Sequence, residues 1–157
     1  MKRILMIAFL AASLGLPAAG PVQLKSFQSI LDSLTRGASV RAVFHYSRCR
    51  MIRDNEEVDK VPDAIGGMTL DTFEYFAPGS IGNKAGFIAS SHGVLISHPR
   101  YGYVLNHVKV RIHADGKVRV IARYLDPRSL EIRMDESFFT RIDKGSREAG
   151  AEFFQIP

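Results

Sequence analysis

Residues 108–123 read VKVRIHADGKVRVIAR, and the alternation on either side of the Asp115-Gly116 turn fixes the fold class. Val108, Val110 and Ile112 alternate with Lys109 and Arg111, and Val118, Val120 and Ala122 recur at the same period of two, the pattern of half-buried strands. Gly116 suits the left-handed position of a three-residue hairpin loop. That loop sets Ile112 opposite Val118, Val110 opposite Val120 and Val108 opposite Ala122, whereas a two-residue loop places Ile112 against Arg119 and buries charge. The other face collects His107, Lys109, Arg111, His113, Lys117, Arg119 and Arg123. Lys109, Arg111 and Arg119 are the candidate contacts for an anion or an acidic partner on that stripe. A second hairpin turning at Asp126, Pro127 and Arg128 aligns Tyr124 with Leu130 and Ala122 with Ile132. In that register Arg123 faces Glu131 and Arg119 faces Asp135, turning much of the stripe into cross-strand ion pairs.

Working outward, Ser26 caps a helix in which Phe27, Ile30, Leu31 and Leu34 share one face, with Gly37 placed to end it. Val40, Ala42, Phe44 and Tyr46 then alternate as a first strand. Residues 47–68 carry mixed charge, Pro62, Gly66 and Gly67, and read as a long connection. Further strands are expected near 69–76, 85–91, 93–98, 102–113, 117–125 and 129–134, with a last one near 138–142. The short gaps leave no room for crossover helices, so neighbours pair antiparallel. The expected fold is mainly β (α+β): one curved antiparallel sheet or a small barrel, with a single N-terminal amphipathic helix.

At the N-terminus, Lys2 and Arg3 precede an apolar run over residues 4–12, and the small residues Ala18, Ala19 and Gly20 follow. This is the pattern of a signal peptide over 1–20, and the run is shorter than the roughly 20 apolar residues of a membrane span. A periplasmic or secreted chain without a transmembrane anchor is therefore expected. The remaining residues 21–157 form one domain. Without Lys2 and Arg3, 19 basic residues stand against 16 acidic ones, a net charge of +3, too sparse a basic footprint for nucleic acid.

Cys49 is the lone cysteine, so an internal disulfide is excluded. Arg48 and Arg50 beside it favour a low thiol pKa, which makes Cys49 a candidate reactive thiol or the link of a disulfide-bonded homodimer; a merely buried thiol is the alternative. The five histidines are scattered, without HExxH spacing or a cysteine pair, so no metal or cofactor is expected. Ser90, Ser91 and His92 lie together, but in no nucleophile elbow; the serines suit a tight turn before Gly93. Phe73, Tyr75 and Phe76, then Phe87, then Tyr101, Tyr103 and Tyr124 suggest a ligand cavity on a curved sheet, with Phe73, Tyr75, Phe87, Tyr103 and Tyr124 as its candidate lining.

The string from Val40 to Cys49 after a short helix resembles the opening of the VirK family of small exported bacterial proteins. Further matching stretches are Gly66, Gly67 and Met68 ahead of Phe73, Glu74, Tyr75 and Phe76; Gly102, Tyr103 and Val104; and Asp135 and Glu136 with Phe138. The family is named for an association with virulence genes in plant-associated bacteria, and the resemblance carries over no catalytic residues. It also implies a second cysteine near the C-terminal strand, which Phe138, Phe139, Thr140 and Arg141 do not supply. The function so implied is an exported, non-enzymatic protein, virulence or host-association related, that binds a small molecule or a protein partner. The alternatives are an enzyme using Cys49 or the His92 region, and a structural surface protein forming a Cys49-linked dimer.

Overall fold

A computed structural model describes residues 20–157, so the signal-peptide reading lies outside the described residues apart from Gly20. Helix α1 (Phe27–Thr35) begins where Ser26 accepts from the Ser29 N–H while the Ser29 hydroxyl accepts from the Ser26 N–H, a reciprocal cap. It ends in a Schellman turn: Gly37, at φ 77°, donates to the Leu34 carbonyl and Ala38 to that of Ser33.

Two antiparallel sheets follow from the alternation. The shorter one orders β1 (Val22–Gln23), β11 (Ala151–Gln155), β2 (Val40–His45) and β5 (Ile65–Thr69). The longer one orders β4 (Glu56–Val58), β3 (Arg50–Arg53), β10 (Ile132–Arg141), β9 (Lys117–Leu125), β8 (Gly102–His113), β7 (Phe87–His98) and β6 (Phe73–Phe76). The fold is mainly β, antiparallel and with a single helix, as expected; neither order closes on itself, so the strands form two open sheets where one sheet or a barrel was expected. Helix α1 and the short sheet cover one face of the long sheet. Ile30, Leu34, Val40, Phe44 and Phe153 meet Met51, Ile88, Val110, Ile112, Val118, Val120 and Phe138 in one buried cluster.

The β8–β9 hairpin has the expected register, Val108 on Ala122, Val110 on Val120 and Ile112 on Val118. Elsewhere boundaries shift. The expected connection 47–68 holds β3, β4 and β5. Asp54 and Asn55, both at positive φ, make the tight two-residue turn joining β3 to β4. The strands expected at 85–91 and 93–98 are one, β7, with Gly93 inside it, and those at 129–134 and 138–142 are one, β10. The β9–β10 register also differs: Asp135 faces Arg123, Met134 faces Tyr124 and Phe139 faces Arg119, with an irregularity between Ile132 and Met134. Arg123 therefore pairs with Asp135 at 3.0 Å, not with Glu131, and Arg119 has no carboxylate opposite it. β11, in the middle of the short sheet, has no counterpart among the expected strands.

Candidate functional site

Length mismatch between the sheets creates the site. β7 and β8 each run 12 residues, while β2, β5 and β11 run six, five and five. At about 3.3 Å per residue, the short sheet reaches along only about half of the long strands. Beyond Val110, Val120 and Phe138, the core-facing positions continue at period two as Val108 and Asn106 on β8, Ala122 and Tyr124 on β9, and Glu136 and Met134 on β10. Register holds them side by side: Ala122 faces Val108 and Glu136, and Tyr124 faces Asn106 and Met134.

This uncovered half is the floor of a groove. A hollow of about 680 Å³ lies over Val108, Ala122, Tyr124, Met134 and Phe138, walled by Tyr46 and residues 60–64. A second hollow of about 530 Å³, lined by His98, Arg100, Tyr101 and Arg133, shares Arg53, Tyr124, Met134 and Glu136 with it. Tyr46 packs on Phe138 with ring centroids 4.5 Å apart. Its ring closely approaches Gly66: a Cβ there would stand 2.7 Å from Tyr46 Oη and 2.9 Å from Cε2, so any larger residue would displace the ring. Burial, then the nearby Cys49, Tyr124 and Glu136, push the Tyr46 phenol above its ordinary pKa, so it remains a neutral hydrogen-bonding group. Arg53 donates to Glu136 through Nε at 3.0 Å, pairing a rim guanidinium with the carboxylate set in the floor.

At the far end, His98, Tyr101 and Tyr124 cluster at 4.9–6.3 Å between centroids. His98 Nδ1 accepts from the backbone N–H groups of Arg100 and Tyr101 at 3.2 and 3.3 Å, which places the proton of the neutral ring on Nε2. Arg100 lies over the Tyr101 ring at 5.3 Å and has no carboxylate within ion-pair reach among the described residues.

Of the aromatic residues singled out in the sequence, Tyr101 and Tyr124 line this groove. Phe73 packs against the core, Tyr75 lies 6.3 Å from Phe27, and Phe87 is buried against Phe76 at 4.8 Å. Tyr103 is 69% exposed, on the opposite face of β8 from Val104 and Asn106. Tyr46, His98 and Met134 are the residues that sequence reasoning missed. Tyr46 leaves β2 in a 3-10 turn (Tyr46–Arg48), and Met134 reaches the floor only through the β10 register.

On the outer face, Arg111 stands opposite Arg119 as expected. The two guanidiniums turn away from each other: Arg111 lies 4.5 Å over Phe87 toward β7, and Arg119 5.3 Å over Phe139 toward β10. Arg119 also donates to the Ser137 hydroxyl at 3.1 Å. Lys109 faces Ser91 and Ile121. The three cations thus splay apart rather than converge on one point. His107 and His113 add little charge. Burial, then Arg123 and Lys109, lower the His107 pKa; burial, opposed by Asp115 and aided by Arg111 and Lys117, lowers that of His113.

Cys49 is 8% exposed and its thiol donates to the His45 carbonyl at 3.4 Å. Burial raises its pKa, with a smaller lowering by the Thr140 hydroxyl; this corrects the expectation of a thiolate stabilised by Arg48 and Arg50. Ser90 is buried within β7, not in a turn, and donates to the Thr72 carbonyl at 2.6 Å. Among the described residues no group of three or more His, Cys, Asp or Glu is placed to hold a metal ion, and no helix is long and apolar enough to cross a membrane.

The arrangement is that of an open two-sheet antiparallel β domain with a groove on the half of the long sheet that its partner sheet leaves bare. The chain belongs to the VirK family: the family model described as VirK protein matches residues 23–130. Its fold is similar to that of a VirK family protein from Legionella pneumophila at TM-score 0.64 and 15% identity, covering 85% of this chain and 98% of that one. No curated protein sequence matches the chain.

Proposed function

We propose that this VirK family member is an exported, non-enzymatic binding protein, periplasmic or secreted and virulence or host-association related, whose groove over Tyr124 and Met134 holds a small molecule or a segment of a protein partner. The groove itself carries the reading. Two adjoining hollows share four residues, and a floor of Val108, Ala122, Tyr124, Met134 and Phe138, with Asn106 and Glu136 set into it, lies between polar rims, the composition of a site that buries a ligand's apolar body and orients its polar ends. The basic, apolar and small-residue pattern over residues 1–20 supports export. Binding is favoured over catalysis because two candidate nucleophiles are not activated: the Cys49 thiol is buried with a raised pKa, and the Ser90 hydroxyl is held by the Thr72 carbonyl.

Native mass spectrometry of the protein recovered from its own periplasm or culture medium tests the reading. The expected spectrum shows a chain lacking the leader and carrying a bound molecule, which Met134→Arg and Tyr124→Ala lose while remaining folded. A chain that keeps the leader overturns export. A bare chain, with no difference between these variants and the unmodified protein in pull-down from the same source, overturns the groove as the binding site.

A further inference from the structure

Strand β7 outruns the strand that covers its outer edge. β6 pairs with Phe87, Ile88, Ala89 and Ser90 only, so residues 91–98 are hydrogen-bonded on one side alone, to β8. Among the described residues, no other backbone segment bonds to residues 91–98. Residues 91–95 are exposed on both faces of the sheet, with Val94 45% and Leu95 57% accessible.

Folded proteins blunt such edges by keeping them short or by placing charges or proline on them. The opposite edge of the same sheet obeys this: β4 has three residues, two of them Glu56 and Glu57. Residues 91–98, SHGVLISH, contain no Asp, Glu, Lys, Arg or Pro. An uncharged, unprotected edge of this length is a template for a further strand.

We propose that this edge pairs with the same edge of a second copy, antiparallel about a two-fold axis at Leu95, joining two long sheets into one. A two-fold axis normal to the sheet keeps the faces aligned only if facing residue numbers sum to an even number. The axis at Leu95 meets that condition within the free stretch: residues 92–98 pair, and Ser90, already held by β6, is not needed. Leu95 then faces Leu95 of the partner subunit on the outer face. Val94 faces Ile96 of the partner subunit on the core-side face, and Gly93 faces Ser97 of the partner subunit. No like charges meet. The symmetric pairing uses the free edge of both copies at once, whereas an added peptide strand leaves a new bare edge. A seven-residue pairing falls short of the roughly 1,200 Å² of stable interfaces, so the dimer is weak and concentration-dependent, with Kd on the order of micromolar.

Thiol cross-linking tests the register, because Cys49 is buried and the chain has no other cysteine. Directly opposed residues bring their Cβ atoms to about 4.5–5.5 Å, within or close to disulfide reach. Under mild oxidation Leu95→Cys is expected to form a reducible dimer at least tenfold faster than Val94→Cys, while the double variant Val94→Cys with Ile96→Cys cross-links well. Sedimentation velocity of the unmodified protein is expected to show a concentration-dependent monomer–dimer equilibrium that Leu95→Lys abolishes with an unchanged circular dichroism spectrum. Four results would overturn the proposal: a monomer at every concentration up to several hundred micromolar, a dimer that survives Leu95→Lys, equal cross-linking at 94 and 95, or open-ended oligomers in place of a dimer.

Discussion

A missing side chain at position 150 decides how closely the last loop approaches Cys49. A Cβ on Gly150 would stand 2.6 Å from Cys49 Sγ, 2.9 Å from the His45 carbonyl oxygen and 3.0 Å from Thr140 Oγ1, and two of those three neighbours are fixed by strand pairing and burial. Gly150→Ala is therefore expected to destabilise the fold by about 1–3 kcal/mol through overpacking, seen as a lower urea midpoint at unchanged m. Removing the sulfur with Cys49→Ala in the same chain should recover part of that loss, a coupling measured by the double-mutant cycle. Asp143 organises the same loop from its other end. Its buried carboxylate accepts from the Gly145 N–H at 2.6 Å and the Ala149 N–H at 3.1 Å. Burial alone raises its pKa, but these bonds and those from Arg147 and Glu148 outweigh it and leave it lowered from 3.8. A carboxylate with a lowered folded pKa stabilises fully above the unfolded value and loses that contribution as pH falls through the folded value. Asp143→Asn is accordingly expected to cost about 1–3 kcal/mol near pH 7. The gap between variant and unmodified protein should narrow below about pH 4 in urea unfolding series.

At the scale of elements, the β9–β10 connection is held by Asp126, which accepts from the N–H groups of Arg128 and Ser129 at 2.9 and 3.0 Å and from Arg133 at 3.2 Å. Asp126 and Glu131 close the loop, and Leu130 turns it at φ 60°, a conformation that costs a non-glycine residue roughly 1–2 kcal/mol. Leu130 is 59% exposed, so little packing is at stake. Leu130→Gly is expected to raise stability by about 0.5–1 kcal/mol after glycine's added unfolded-state entropy, readable as a higher melting temperature. The same residue explains what the sequence conceals. At Gly116 a glycine marks the left-handed turn, and the β8–β9 register is legible from residues 108–123. At Leu130 no glycine marks it, so the sequence points to a three-residue turn and to β10 partners four positions earlier than those observed. That slip also hid the groove, because Met134 and Glu136 reach its floor only in the observed register. The Asp54-Asn55 pair did carry a turn signal, but strands of four and three residues give too short an alternation to stand out. β11 alternates Ala151, Phe153 and Gln155, yet its neighbours β1 and β2 lie more than a hundred residues away in sequence, and nothing local announces such pairing.

Across the whole molecule, one face of a long sheet is half covered, and stability should be as unevenly spread as the cover. Val110 and Val120 are fully buried on the two central strands, paired on both sides, so their amides open only with the global transition. Residues 91–98 project past both the short sheet and β6, bonded to β8 alone, and every second amide there points to solvent. Hydrogen exchange at low concentration is expected to be at least ~10³-fold faster at those outward amides than at Val110 and Val120. The groove lies between the two regimes: its floor of Val108 and Ala122 joins the protected strands, while the wall of residues 60–64 belongs to no strand. Raising the protein concentration into the range where β7 edges pair should slow exchange at the outward amides of residues 92–98 and leave the wall unchanged. A bound ligand should do the reverse, slowing the wall and leaving residues 92–96 of the β7 edge alone, since His98 at its end lines the groove. Exchange measured in those two titrations therefore separates the molecule's two open surfaces, because the self-pairing edge and the ligand groove draw on different unsatisfied groups of the same sheet.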